Sequence, residues 1–293
     1  DTDGMYAVVP FERACAEAGI RPIHGVELTG SLEPPRESRA AGGASAGGPD
    51  IARVTLLART REGYAELCHL VTRRRLDADF SLAAALDRLT DNVCALADDE
   101  RVLARLRGRR NAFAALPTAV GREWTERRWR LRRAAARLGL RTAAAGDVYF
   151  LEPKEHFVHR VLTAIRTRTT IGTLPAGAAA PPSAFFRSPA EVARVFHDDP
   201  ASLDAALEIA DGCRFELDLH SRKLPRFART GGEEPFAALR RLALRGLRAR
   251  VPESEWPAAV ETLDRELAVI DAKGLADYFL ICWDIVRFAR GRG

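Results

Sequence analysis

Carboxylates at the ends of short apolar segments are the residues of this sequence best suited to chemistry. Asp1, Asp3, Glu27 and Asp147, with His159 a short way beyond, are the candidates for converging on metal ions. Hard cations need several oxygen ligands at close range, and zinc commonly adds imidazole. Glu27 and Asp147 form the better pair, because acids at strand ends of an α/β domain face the crevice where such domains place their sites. Each can equally cap a helix or pair with an arginine. His24, His69, His156, His159, His197 and His220 share no ligand-like spacing. No P-loop, Gly-x-Gly-x-x-Gly fingerprint, His-Glu-x-x-His helix or Gly-x-Ser-x-Gly elbow occurs, and the sequence nominates no nucleophilic triad.

The elements that must position these acids follow from apolar periodicity. Val8, Phe11, Cys15 and Ala18 form a helical stripe stopped by Gly19, and Ile23 to Leu28 reads as a strand. Residues 31–50, rich in Pro, Gly, Ala and Ser, are expected to loop over the surface. A second strand around Val54, Leu56 and Leu57 leads into a helix from Glu62 that buries Tyr64, Leu67, Cys68 and Val71. Asn92 to Leu96 is a further strand candidate; residues 100–110 suit either period. Arg122 to Leu138 is a helix closed by Gly139, and Ala143 to Phe150 is expected to be a buried strand carrying Asp147. Val158, Val161, Leu162 and Ile165 line one face of the next helix. Ser188-Pro189-Ala190-Glu191 and Asp199-Pro200 are helix starts with hydroxyl or acid caps and proline at the first helical position. Strand–helix alternation over about 210 residues predicts an α/β domain, followed by helices around Phe236–Leu247, Leu263–Ile270 and Asp277–Arg290.

Composition bounds the rest. The 293 residues are 47% hydrophobic and 29% charged, without an apolar run near the roughly 18 residues of a membrane span. Five cysteines stand singly and without a Cys-x-x-Cys pair, which predicts core thiols in a reducing cytoplasm. The start at Asp1 lacks both Met and a signal peptide and predicts preceding sequence. A net charge of +5 hints at an acidic partner, but only Lys154, Lys223 and Lys273 are lysines, so arginine enrichment is general. Arg127, Arg128, Arg130, Arg132 and Arg133 have the chemistry to grip phosphate beside a stacking Trp124 or Trp129. A solvated helix face with Trp124 packed inward is the expected alternative.

The run Asp1-Thr2-Asp3-Gly4-Met5-Tyr6, then Phe11-Glu12-Arg13-Ala14-Cys15 and Gly19-Ile20-Arg21-Pro22-Ile23-His24-Gly25-Val26-Glu27, resembles the PHP (polymerase and histidinol phosphatase) domain of bacterial C-family DNA polymerases, the DNA polymerase III alpha-like proteins. Ala145-Gly146-Asp147-Val148-Tyr149-Phe150 and Ala206-Leu207-Glu208-Ile209-Ala210-Asp211-Gly212-Cys213 are similar to later parts of that domain. Gly274-Leu275-Ala276-Asp277-Tyr278-Phe279 with Trp283-Asp284-Ile285-Val286 resembles the entrance to the polymerase domain. The likeness is closer to the error-prone, damage-tolerant branch than to the replicative alpha subunit.

This resemblance implies an α/β fold, a distorted seven-stranded (β/α) barrel over residues 1–215 lacking its first strand. Residues 216–293 are then a linker and the mainly helical beginning of the palm. It implies a metal cluster at the barrel mouth that serves a 3′→5′ exonuclease in some members and is degenerate in others. Here Thr2 and Tyr149 stand where imidazole ligands are expected, leaving Asp1, Glu27 and Asp147 as a degenerate pocket. Neither a catalytic residue nor a resident metal is therefore expected in this chain. The parent reaction, transfer of a nucleotide from dNTP to a primer hydroxyl, uses magnesium held by palm carboxylates beyond these residues. Asp277 and Asp284 are not promoted to that role. Primer-template DNA, dNTPs, mutagenesis accessory proteins and a sliding clamp are the implied partners. An independent PHP phosphoesterase, the replicative alpha subunit and a purely structural module are the alternatives.

Overall fold

Alternation of buried with half-exposed positions runs through β1 (Gly25–Ser31) and β2 (Ile51–Ala58), the mark of strands with one face on a core. A computed structural model describes residues 1–32, 51–219, 221, 224–228 and 232–292. The strands pair antiparallel with Glu27 opposite Thr55 and Thr29 opposite Arg53. β2 pairs antiparallel with β3 (Val93–Ala97), which runs parallel to β4 (Ala112–Pro117), itself parallel to β5 (Arg141–Ala145). The order is therefore β1-β2-β3-β4-β5, with β2 alone running against the others. Most of the surface loop expected over residues 31–50 lies outside the described residues; Ser31 itself ends β1.

Helices cover the sheet. They are α1 (Val8–Glu17), α2 (Arg61–Leu76), α3 (Leu82–Asp87), α4 (Glu100–Arg105), α5 (Arg122–Leu138), α6 (His156–Thr167), α7 (Pro189–Val195) and α8 (Pro200–Gly212). On one sheet face Val26, Leu28, Val54 and Leu56 meet Leu67, Leu82, Leu86, Leu103 and Phe196 in the main core. On the other, Cys94, Phe113 and Ala143 pack against Ala205, Ile209 and Cys213. All five cysteines are free. Burial and the neighbouring Cys213 push the Cys94 thiol up to about 12, so it behaves as a small apolar group.

Local signals explain most helix ends. Ser188 accepts from the Glu191 amide while the Glu191 carboxylate accepts from the Ser188 amide, the reciprocal cap expected of that motif. Asp199 caps α8 through Ser202, and Gly139 closes α5 at φ +67°. Residues 100–105 are helical, with Asp99 accepting from the Arg101 amide.

One expectation needs correction. β5 ends at Ala145 and does not continue to Phe150. Gly146 lies so close to Thr118 that an added Cβ would sit 2.3 Å from its Oγ1, and Phe150 forms an isolated bridge with Phe185 instead. β4 was not foreseen, because Ala-Phe-Ala-Ala-Leu lacks the β-branched residues that announce strands. On α6 the buried residues are Thr163 and Ala164, whereas Val158, Leu162 and Ile165 are exposed. The sheet of the described residues has five strands, and Thr2–Glu27 and Phe150–Phe185 add single parallel bridges.

The chain divides into two compact units, Asp1–Leu217 and Asp218–Gly293. Within the second, α9 (Pro235–Arg248), α10 (Trp256–Ala272) and α11 (Ala276–Arg290) enclose Ala238, Leu239, Leu267, Ala276 and Leu280. The Phe227 amide donates to Asp277 Oδ1 at 2.8 Å, giving that acid a structural partner. Tyr278, Phe279, Ile285, Val286 and Phe288 are exposed.

Candidate functional site: an arginine-centred carboxylate cluster

Because β2 runs opposite to its neighbours, its beginning lies at the edge where β1, β3 and β5 end. The two-residue period of a strand then selects one face. Glu27 shares it with Thr29, Arg53 and Thr55 through the β1–β2 register. Thr55 opposes Leu96, so the same parity carried one step past β3 places Asp98 there. Ala143 packs on this face, and two further steps past it lead to Asp147.

At the centre stands the Arg53 guanidinium. Its Nη1 donates to Glu27 Oε2 at 3.4 Å, and its Nη2 donates to Asp98 Oδ2 and Asp147 Oδ2, each at 3.3 Å. Arg127 on α5 donates a further short bond to Asp98 Oδ2. Thr2 Oγ1 donates to Glu27 Oε1 at 2.9 Å, so both oxygens of that carboxylate are engaged. Burial opposes charge on Arg53, but the carboxylates of Asp98, Asp147 and Glu27 outweigh it and hold its pKa above the ordinary arginine value.

The structure thus brings together Glu27 and Asp147 with Thr2 and Tyr149, the two positions where the resemblance implies imidazoles. Burial, then Glu27 and Asp147, push the Tyr149 phenol up, so it stays protonated at neutral pH. Asp1 and Asp3 have other work. Asp1 Oδ2 accepts from the Ala7 amide at the start of α1. Asp3, at φ +49°, accepts from the Thr29 amide and hydroxyl and pairs with Arg74 at 3.2 Å. His159 Nε2 accepts from the Ala180 amide at 2.9 Å, and its ring lies 5.2 Å from that of Tyr149.

These residues do not fit the metal cluster that the resemblance implies. A permanently charged guanidinium sits at the point where the carboxylates converge, and the His159 imidazole beside Tyr149 uses Nε2 as an acceptor for a backbone amide. Among the described residues no group of three or more His, Cys, Asp and Glu has metal-holding geometry.

Sequence reasoning missed Arg53 and Asp98. The signal was a lone charge in Ala52-Arg53-Val54-Thr55-Leu56, on the same parity as Thr55, and an acid doublet directly after β3. The arginines of α5 are largely committed within the protein. Arg127 holds Asp98, Arg132 bonds Asp198 and Asp199, and Arg137 meets Glu100. Arg128 was expected on a solvated face but is buried, donating to the Pro117 and Ala119 carbonyls.

Residues 1–127 match the PHP domain family, and residues 237–293 match the family described as bacterial DNA polymerase III alpha NTPase domain. In class, therefore, this is a PHP domain followed by a segment of DNA polymerase III alpha type. The chain belongs with the bacterial DNA polymerase III alpha-like, or C-family, proteins, and its relatives align along its whole length. It is 31% identical to the error-prone DNA polymerase of Symbiobacterium thermophilum over 332 residues, covering 100% of this chain and 29% of the relative. Identity to the error-prone DNA polymerase of Nocardia farcinica is also 31%, over 100% of the chain and 31% of the relative. The DNA polymerase III subunit alpha of Halalkalibacterium halodurans is 27% identical, over 99% of the chain and 26% of the relative. The chain thus spans about a third or less of the length of these relatives. No helix among the described residues is long and apolar enough to cross a membrane.

Proposed function

We propose that this chain is the PHP module and the beginning of the polymerase region of a template-directed DNA polymerase, of the error-prone kind that copies damaged DNA. Its own part in that enzyme is structural. Supporting the reading is the succession, in chain order, of a PHP match at 1–127 and a polymerase-type match at 237–293. The error-prone branch is favoured because two relatives bearing that name are 31% identical over the whole chain, against 27% for the relative named DNA polymerase III subunit alpha. In this reading the five strands belong to a seven-stranded PHP barrel, and magnesium for nucleotidyl transfer is held by carboxylates outside the described residues. Primer-template DNA and dNTPs are the substrates of the whole enzyme, working in the cytoplasm with mutagenesis accessory proteins and a sliding clamp.

The test is a labelled primer-template incubated with this chain, the four dNTPs and MgCl2 or MnCl2. Neither extension nor trimming is expected, whereas the continuous polymerase chain should extend the primer and misincorporate readily. Trimming that disappears in Asp147→Asn would instead make the chain a PHP nuclease. High-fidelity extension without lesion bypass would return the parent to the replicative branch.

A further inference from the structure

We propose that Arg53 is the resident cation of the pocket: its guanidinium stands in place of the metal ions of a PHP cluster and ties β1, the end of β3 and the end of β5 together. The inference rests on the structural reading of the PHP module above and adds the residue that makes the module independent of metal.

Three carboxylates converge here from separate strands, Glu27 within β1, Asp98 after β3 and Asp147 after β5. Left alone, like charges at such range repel one another and splay the sheet edge. A divalent cation is one remedy, and a guanidinium is another. The arginine fork is planar and presents donors in two directions, so one group reaches Glu27 through Nη1 and both aspartates through Nη2. Arg127 adds a second positive group at Asp98 from α5, and Thr2 fills the remaining Glu27 oxygen.

A metal ion usually enters a site by displacing protons from its ligands. The guanidinium does not release its proton in the ordinary pH range and therefore cannot clear the centre in that way. A dication would have to approach a fixed positive charge that already bonds all three acids. Geometry and charge thus exclude metal for the same reason that they hold the edge closed.

The experiment compares the full chain with Arg53→Met, which keeps much of the apolar stem, and Arg53→Lys, which keeps the charge. Thermal midpoints are read in EDTA and in millimolar MnCl2. The parent chain should melt at the same temperature in both. Arg53→Met in EDTA should lose about 3–8 °C and regain at least half of it in MnCl2. Arg53→Lys should lose less than half as much and ignore manganese. An Arg53→Met midpoint equal to the parent's, or a loss that manganese leaves untouched, overturns the inference while leaving the structural reading of the module in place. A parent chain that takes up manganese and melts higher overturns that reading itself, and the inference with it. Should Arg53→Met not fold, adding Glu27→Gln and Asp147→Asn removes the uncompensated charges and should restore folding. Failure of that triple variant to fold would also overturn the proposal.

Discussion

Replacing Arg128 by alanine should destabilise the first unit more than the same change at any other arginine of α5. Its Nη1 donates to Pro117 O at 3.1 Å and Ala119 O at 2.7 Å, and its Nη2 donates to Thr125 Oγ1 at 3.0 Å. The guanidinium also lies 5.9 Å from the centre of the Phe196 ring, a side chain wholly buried in the main core. Losing the charged donors strands two carbonyls, at about 2 kcal/mol each. Release of a buried cation, whose pKa burial and then Arg132 depress, offsets part of that loss. The net cost is about 3 kcal/mol, and in a unit of this size each kcal/mol lowers the midpoint by roughly 2–4 °C, so a fall of about 6–12 °C is expected. Differential scanning calorimetry of Arg128→Ala beside Arg130→Ala gives the comparison, since Arg130 is exposed on the same helix and its loss should change stability by less than about 0.5 kcal/mol. Arg128→Met keeps much of the stem and should recover little, because the stranded carbonyls dominate. Midpoints of Arg128→Ala and Arg130→Ala within about 2 °C of each other would refute the argument.

Gly63→Ala should cost about 1–3 kcal/mol by urea denaturation, because the new Cβ would meet Asn92 O at 2.1 Å where α2 crosses the start of β3; an unchanged transition would contradict that approach. Ser188→Ala removes the cap of α7 and should lower stability by about 1 kcal/mol, measured in the same way, with no change expected at the exposed Ala190. The His159 imidazole is held below its ordinary 6.5 by burial, then by His156 and Arg166, so the unfolded chain binds the extra proton first. Stability from this group is therefore complete above pH 6.5 and falls as the pH drops below it. His159→Gln keeps an acceptor for the Ala180 amide without titrating, so its midpoint should fall less than the parent's between about pH 7.5 and 5.5; parallel pH profiles would contradict this assignment.

What was legible in the sequence was what repeats or terminates. Ser188-Pro189-Ala190-Glu191 carries its cap in its letters, and Gly139 ends α5 because it adopts a left-handed turn without penalty. Strands announced by Val54 and Leu56 were visible for the same reason. β4 was not, because its Ala-Phe-Ala-Ala core takes its strand character from β3 and β5 on either side. The exposed stripe of α6 shows the converse limit: periodicity reveals that Val158, Leu162 and Ile165 share a face, but not what that face meets. Glu27 and Asp147 could be proposed from strand ends alone. Their shared partner required the register, since nothing local relates Arg53 to an acid 94 positions later.

That register also bears on Thr2 and Tyr149, the positions where the resemblance implies imidazole ligands. Substituting Thr2 and Tyr149 for histidine removes nitrogen ligands without adding charge, so a pocket altered only at those positions would still hold converging carboxylates. Thr2 satisfies one oxygen of Glu27, and Tyr149 stays neutral, so neither offsets the acids. Arg53 does, from the strand that runs against its neighbours and so begins where they end. Under the proposal made above, hydroxyls at positions 2 and 149 and an internal cation answer one electrostatic requirement. A histidine introduced at position 2 or 149 alone would meet a centre already filled by the guanidinium, so on the proposal made above metal binding demands that the guanidinium leave first.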